Sequence, residues 1–176
     1  MFLFQKGQTI DNRYAVVFPH KEGDYAETYR VRDASGKLRF LKLIYYSKLQ
    51  YSQFDKDGSI IEVEVAKTLN HPRSAQGDAC SCKNVCKYVD SGTLIANGQQ
   101  LAYIVTEFVS GETLDKRIAR EDLSIYEIKQ VAKALLVWYI SCLYTKNVPL
   151  GTLFLWEAGG ICRCKDRRFS FNFQVF

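Results

Sequence analysis

A chain of 176 residues, 47% hydrophobic and 24% charged, can bury a core of its own and is too apolar to be disordered throughout. Its 24 Lys and Arg against 19 Asp and Glu leave a net charge of +5 that is spread along the sequence, which argues against nucleic acid as a partner. No apolar run reaches the roughly 20 residues of a membrane-spanning helix, and Met1-Phe2-Leu3-Phe4-Gln5-Lys6 lacks the form of an export signal, so the expectation is a cytoplasmic protein with no membrane association.

In chain order, residues 14–18 and 27–31 read as two strands around the polar turn Lys21-Glu22-Gly23-Asp24, a hairpin with a flexible tip. Turn chemistry at 33–37 leads into a third strand at 38–44, whose charged interior position is Lys42. Ile61, Val65 and Leu69 recur every four residues, with Glu62, Glu64 and Lys67 on other faces, so 59–70 reads as an amphipathic helix that His71-Pro72 ends. Two more strands follow at 85–89 and 101–105, separated by Asn97-Gly98. Ser124-Ile125-Tyr126-Glu127 has the form of a capping box, and Ile128, Val131, Leu135 and Tyr139 continue it as a long helix. Beyond 143 the pattern weakens. Residues 153–156 and 161–164 flank Glu157-Ala158-Gly159-Gly160, and Phe169, Phe171, Phe173 and Val175 alternate with polar residues.

The six cysteines are Cys80, Cys82, Cys86, Cys142, Cys162 and Cys164, and the first 79 residues have none, which excludes a disulfide scaffold. Cys80, Cys82 and Cys86 are not spaced as Cys-x-x-Cys, and the one histidine near them is His71. They read as reduced thiols in a loop rather than as a zinc site. Cys162 and Cys164 fall on one face of a strand and read as small buried hydrophobes.

Three strands, a helix, two strands and a link to a long helix follow the order of a protein kinase small lobe entering its large lobe. Over about residues 14–143 the sequence resembles the eukaryotic-type Ser/Thr protein kinase family. Taken singly, Lys42 reads as a solvated charge on an edge strand and Glu62 as a surface helix charge. In the family the third-strand lysine grips the nucleotide phosphates and pairs with a helix glutamate. Lys42 in Phe40-Leu41-Lys42-Leu43-Ile44 matches the lysine, and Glu62, nine residues before His71-Pro72, matches the glutamate. Residues 103–111 resemble the strand and hinge against which adenine binds, which would make Thr106 the gatekeeper and put the backbones of Glu107 and Val109 at the adenine edge.

The chain also departs from the family. The four positions of the glycine-rich phosphate loop are Lys21, Gly23, Ala26 and Thr28, a single glycine, whereas backbone amides must approach phosphate unobstructed. Phe40 stands where the family keeps a small residue under the adenine; it narrows the pocket, or the register is shifted. The family's His-Arg-Asp and Asp-Phe-Gly motifs have no counterpart, since His20 and His71 both precede the hinge and Asp166 is the only aspartate after the long helix. In its basic turn, Asp166 reads as a solvated charge.

The expectation is therefore an α+β fold: a kinase-like small lobe of a five-stranded antiparallel sheet plus one helix over 1–109, the hinge and first large-lobe helices of an incomplete large lobe over 110–143, and a divergent tail with a strand hairpin over 144–176. The resemblance implies a nucleotide site of Gly23, Lys42, Glu62, Thr106, Glu107 and Val109, taking ATP with Mg weakly or not at all, with no catalytic residue and no metal ligand assigned. The alternatives are a pseudokinase-like module that binds a protein partner through the helix at 59–70 or through bare apolar surface, and a truncated gene product. Oligomeric state is left open.

Overall fold

Alternation of apolar and polar residues drives the first half of the chain into one antiparallel sheet. A computed structural model describes residues 2–69, 86–111, 114–144, 154–156, 161–164 and 170–172. The chain divides into two units, Met1–Ala66 with Lys87–Phe108, and Lys67–Cys86 with Val109–Phe176.

The first unit holds six strands, β1 (Thr9–Ile10), β2 (Tyr14–Glu22), β3 (Ala26–Arg32), β4 (Leu38–Tyr45), β5 (Tyr88–Ala96) and β6 (Gln99–Glu107), with helix α1 (Ile61–Leu69) between β4 and β5. The strand order is β1-β2-β3-β4-β6-β5, so β4 lies inside the sheet, hydrogen-bonded to β3 and β6. Four of the five expected strands lie where the alternation put them; the strand expected at 85–89 instead begins at Tyr88 and runs to Ala96, because it pairs along β6 as far as the Asn97-Gly98 turn. The sixth, β1, is too short to show a period; it is formed by a tight turn in which Asp11 and Asn12 both take φ of 51°, and these side chains tolerate the left-handed region. Asn97 and Gly98, at φ of 50° and 72°, give the β5–β6 hairpin the left-handed pair that its two-residue turn requires. Strand β2 runs past 18 to Glu22 through two register irregularities, which the alternation does not foretell.

Facing residues on paired strands share a side of the sheet. One side carries Val16, Tyr29, Val31, Leu41, Leu43, Leu101, Tyr103 and Val105, all buried, with Phe2, Leu3 and Phe4 packed over them. The other carries Ala26, Ile44, Ala102 and Ile104, packed with Ile60 and the α1 residues Val63 and Ala66.

The second unit contains α2 (Leu114–Ala119), α3 (Ile125–Tyr144) and three short strands, β7 (Phe154–Trp156), β8 (Ile161–Cys164) and β9 (Ser170–Asn172), paired in that order. The capping box forms: Ser124 donates its N–H and its hydroxyl to Glu127 Oε2 at 2.9 and 2.7 Å, and the Glu127 N–H donates back to Ser124 Oγ at 3.3 Å. Those bonds and the Arg117 guanidinium pull the Glu127 carboxyl down to about 2. Among the described residues no helix is long and apolar enough to cross a membrane. Asn70, His71-Pro72, Cys80, Cys82, Asp166 and the segment 173–176 lie outside the described residues.

Gly92 on β5 faces Tyr103 on β6, and a Cβ there would sit 2.6 Å from the Tyr103 hydroxyl. Tyr103 is fully buried, and its hydroxyl donates to Asp11 Oδ2 at 2.6 Å, so it has no room to retreat. Gly92→Ala is expected to lower stability by about 1–3 kcal/mol as an overpacked site. Ile95→Ala, at a position 78% exposed on the same strand, should change it by no more than about 0.5 kcal/mol. Urea midpoints of the two variants check the contrast.

Candidate functional site

Lys42 lies in the middle of β4 on the side of the sheet that α1 covers. Thr28 of β3 and Ile104 of β6 face it from the two neighbouring strands, so it is not on an edge. A lysine there has lost most of its water, and its side chain is 14% exposed. Glu62, in the first turn of α1 and 9% exposed, meets it with Oε1 at 2.5 Å from Nζ. The helix places that carboxylate where its own N-terminal dipole favours negative charge.

The structure adds a residue that the sequence reading missed. Tyr25, at the end of the β2–β3 turn, accepts a hydrogen bond from Lys42 Nζ at 3.1 Å and donates one to Glu62 Oε2 at 3.3 Å. Nζ also stands 4.8 Å from the centre of its ring. Burial works against the lysine charge, but the Glu62 carboxylate, Tyr25 and the hydrogen bonds from both outweigh it and hold the Lys42 pKa above its ordinary 10.5. The signal that could have found Tyr25 is an aromatic ring two residues after Gly23, in an otherwise polar turn.

Gly23 is at the hairpin tip, and its N–H donates to the Ala26 carbonyl at 2.8 Å. That amide closes the turn, so it is not directed outward as an anion-binding donor. Phe40 is two residues before Lys42 on the same strand and shares its side of the sheet. It faces Arg30 on β3 and Thr106 on β6 and meets the His20 ring edge-on at 5.9 Å. With Lys42 already fixed on Glu62, no register shift takes Phe40 away from Thr106.

Thr106 is half-buried and faces Phe40 and Tyr88; its hydroxyl donates to the Glu107 carbonyl at 3.3 Å. The Glu107 N–H is taken by the Lys87 carbonyl at 2.9 Å, and the Lys87 N–H donates to Glu107 Oε1 at 3.0 Å. Val109 belongs to the second unit. Lys42, Glu62, Thr106 and Phe40 thus share one side of one sheet, with Gly23 at the adjoining tip. Cys86 is a half-buried reduced thiol. Among the described residues no three of His, Cys, Asp and Glu come together as a metal site.

No protein-family model matches the chain, and neither does any curated protein. Among solved structures it is similar to the crystal structure of the PF14_0431 kinase domain, with a TM-score of 0.54 at 17% identity, over 78% of this chain. The fold is kinase-like. The matched region spans 37% of the length of that kinase domain, and at this identity the likeness is one of fold.

The Lys42–Glu62 pair gives a direct expectation. Glu62→Ala leaves a buried ammonium without its carboxylate, a loss of about 3–5 kcal/mol for a broken buried pair. Because the Lys42 pKa is raised by folding, its contribution is fully present below the unfolded value of 10.5 and is lost as pH rises through the higher folded value. In Glu62→Ala the desolvated Lys42 gives up its proton more readily than in the native chain, so the stability difference should be largest near neutral pH and shrink steadily as the solution becomes alkaline. Urea unfolding at a series of pH values measures it.

Proposed function

We propose that this chain is a kinase-like domain that holds an adenine nucleotide weakly on Lys42 and that does not transfer a phosphoryl group by itself. The supporting observation is the Lys42–Glu62 pair inside a kinase-like sheet. An ammonium kept charged and held by a carboxylate is the fixed cation that phosphate oxygens need. Thr106 and the end of β6 at Glu107 lie where the edge of an adenine would meet the same side of the sheet.

Three features support weak binding. The Gly23 amide is committed to its turn, the Phe40 ring stands beside Thr106, and one cation already shared with Glu62 must answer a whole triphosphate. Magnesium, when bound with ATP, would supply charge neutralisation; the described residues bring no carboxylate cluster to hold it. Phosphoryl transfer also needs an aspartate to orient the acceptor hydroxyl, and Asp166 is the only aspartate after α3. In a polypeptide that supplies the rest of a kinase domain, the same pair would orient ATP for transfer to a protein Ser or Thr hydroxyl. A second reading, a non-catalytic interaction module, draws on α3, where Ile125, Ile128 and Leu136 are exposed at helical spacing.

Calorimetric titration of the full chain with ATP and magnesium should show binding weaker than micromolar, less than about 8 kcal/mol, and weaker still in Lys42→Ala. A folded chain that takes no ATP leaves the second reading. Radiolabelled phosphate should not enter a generic acceptor protein above the Lys42→Ala control. Incorporation that Asp166→Asn removes would make Asp166 catalytic and overturn the proposal.

A further inference from the structure

Nothing in the hairpin itself requires a ring at Tyr25. Its backbone is pinned, since its carbonyl accepts the Tyr45 N–H at 3.0 Å and the neighbouring tip is closed by Gly23 on Ala26. From that anchor the side chain turns inward, half-buried against the cluster of Ala26, Ile44 and Ile60. The hydroxyl comes to rest on both members of the ion pair, 3.1 Å from Lys42 Nζ and 3.3 Å from Glu62 Oε2. The Lys42 ammonium has three N–H donors, and Glu62 and Tyr25 take two of them, so a ligand oxygen that approaches Nζ from the side of the hairpin competes with the phenol oxygen for the same donor.

From this geometry we propose that Tyr25 is a specificity-determining residue, which holds the anion position on Lys42 against a phosphate tail. The claim rests on the adenine-nucleotide reading and narrows it. Lys42 and Glu62 together carry no net charge, and with a phenol as third member the cluster offers an incoming triphosphate little long-range attraction. ATP, whose phosphates must compete with the phenol for Nζ, then gains over adenosine only a small part of what Lys42 can give. Removing the hydroxyl alone frees the donor on Nζ while the ring stays; removing the whole side chain also clears the space.

Two measurements on the full chain separate this from the reading beneath it. The first is calorimetric titration of native protein, Tyr25→Phe and Tyr25→Ala with adenosine and with ATP. ATP affinity is expected to rise about tenfold in Tyr25→Ala and less in Tyr25→Phe, with adenosine affinity unchanged. The second is acetylation by a sulfonated succinimidyl ester, an anionic amine reagent, followed by mass spectrometry of Lys42 against the exposed Lys56. Lys42 should be modified several-fold faster in both variants, with Lys56 unchanged. Equal Lys42 modification in all three proteins overturns the proposal, as does a parallel change in adenosine and ATP affinity. Faster Lys42 modification in proteins that bind neither compound sustains the place of Tyr25 on Lys42 and overturns the nucleotide reading instead.

Discussion

A charged amine placed in the interior of a sheet, under a helix, constrains everything around it. At about 4 Å two unit charges attract by roughly 4 kcal/mol at the effective dielectric near a protein surface, while taking two ions out of water costs several kcal/mol each. The two effects are of similar size, so the Lys42–Glu62 pair adds little net stability. What it does fix is position. With Nζ on β4 and the carboxylate in the first turn of α1, the helix can sit on the sheet in one way, and apolar contacts through Val63 and Ala66 then secure it.

The opposite side of the sheet supplies the rigidity that such a pair needs. Four buried tyrosines there, Tyr14, Tyr29, Tyr45 and Tyr103, each direct a hydroxyl at a carboxylate: Tyr14 at Asp90, Tyr29 and Tyr45 at Glu27, Tyr103 at Asp11. Burial, together with those bonds, pushes all four phenols above their usual range. Glu27 is itself buried and accepts the Leu3 N–H at 3.0 Å, which ties the start of the chain across β3. Phe2 and Phe4 close over Tyr29 edge-on. A buried carboxylate with three donors is satisfied without a cation, and its neighbours have little freedom to change register.

On the α1 side the same economy of contacts works against a guest. The tip amide of Gly23 bonds its own turn, Tyr25 lies on the ion pair, and Phe40 stands between Arg30 and Thr106 with His20 at its edge. Each of these groups is satisfied within the chain. A ligand gains from such a side of the sheet only what exceeds the contacts it displaces, which is the ground for the weak binding proposed above.

The sequence alone determined four of the main strands, α1 and the capping box of α3, because period-two alternation, four-residue spacing and turn residues are local signals, while the two members of the ion pair were singled out by the resemblance to the kinase family. The resemblance could pick out Lys42 and Glu62, but that β4 lies inside the sheet follows from β6 returning beside it, a pairing set by contacts about 60 residues apart in sequence. Strand β1 escaped notice because two residues carry no period, and its turn of Asp11 and Asn12 is recognisable only by backbone angle. Tyr25 escaped because its role depends on where a folded hairpin directs a ring, not on its neighbours in sequence. The tertiary structure decided which polar atoms were already spoken for, since a hydrogen-bond partner is a fact of three-dimensional proximity, and on that depends what the side of the sheet carrying Lys42 can still hold.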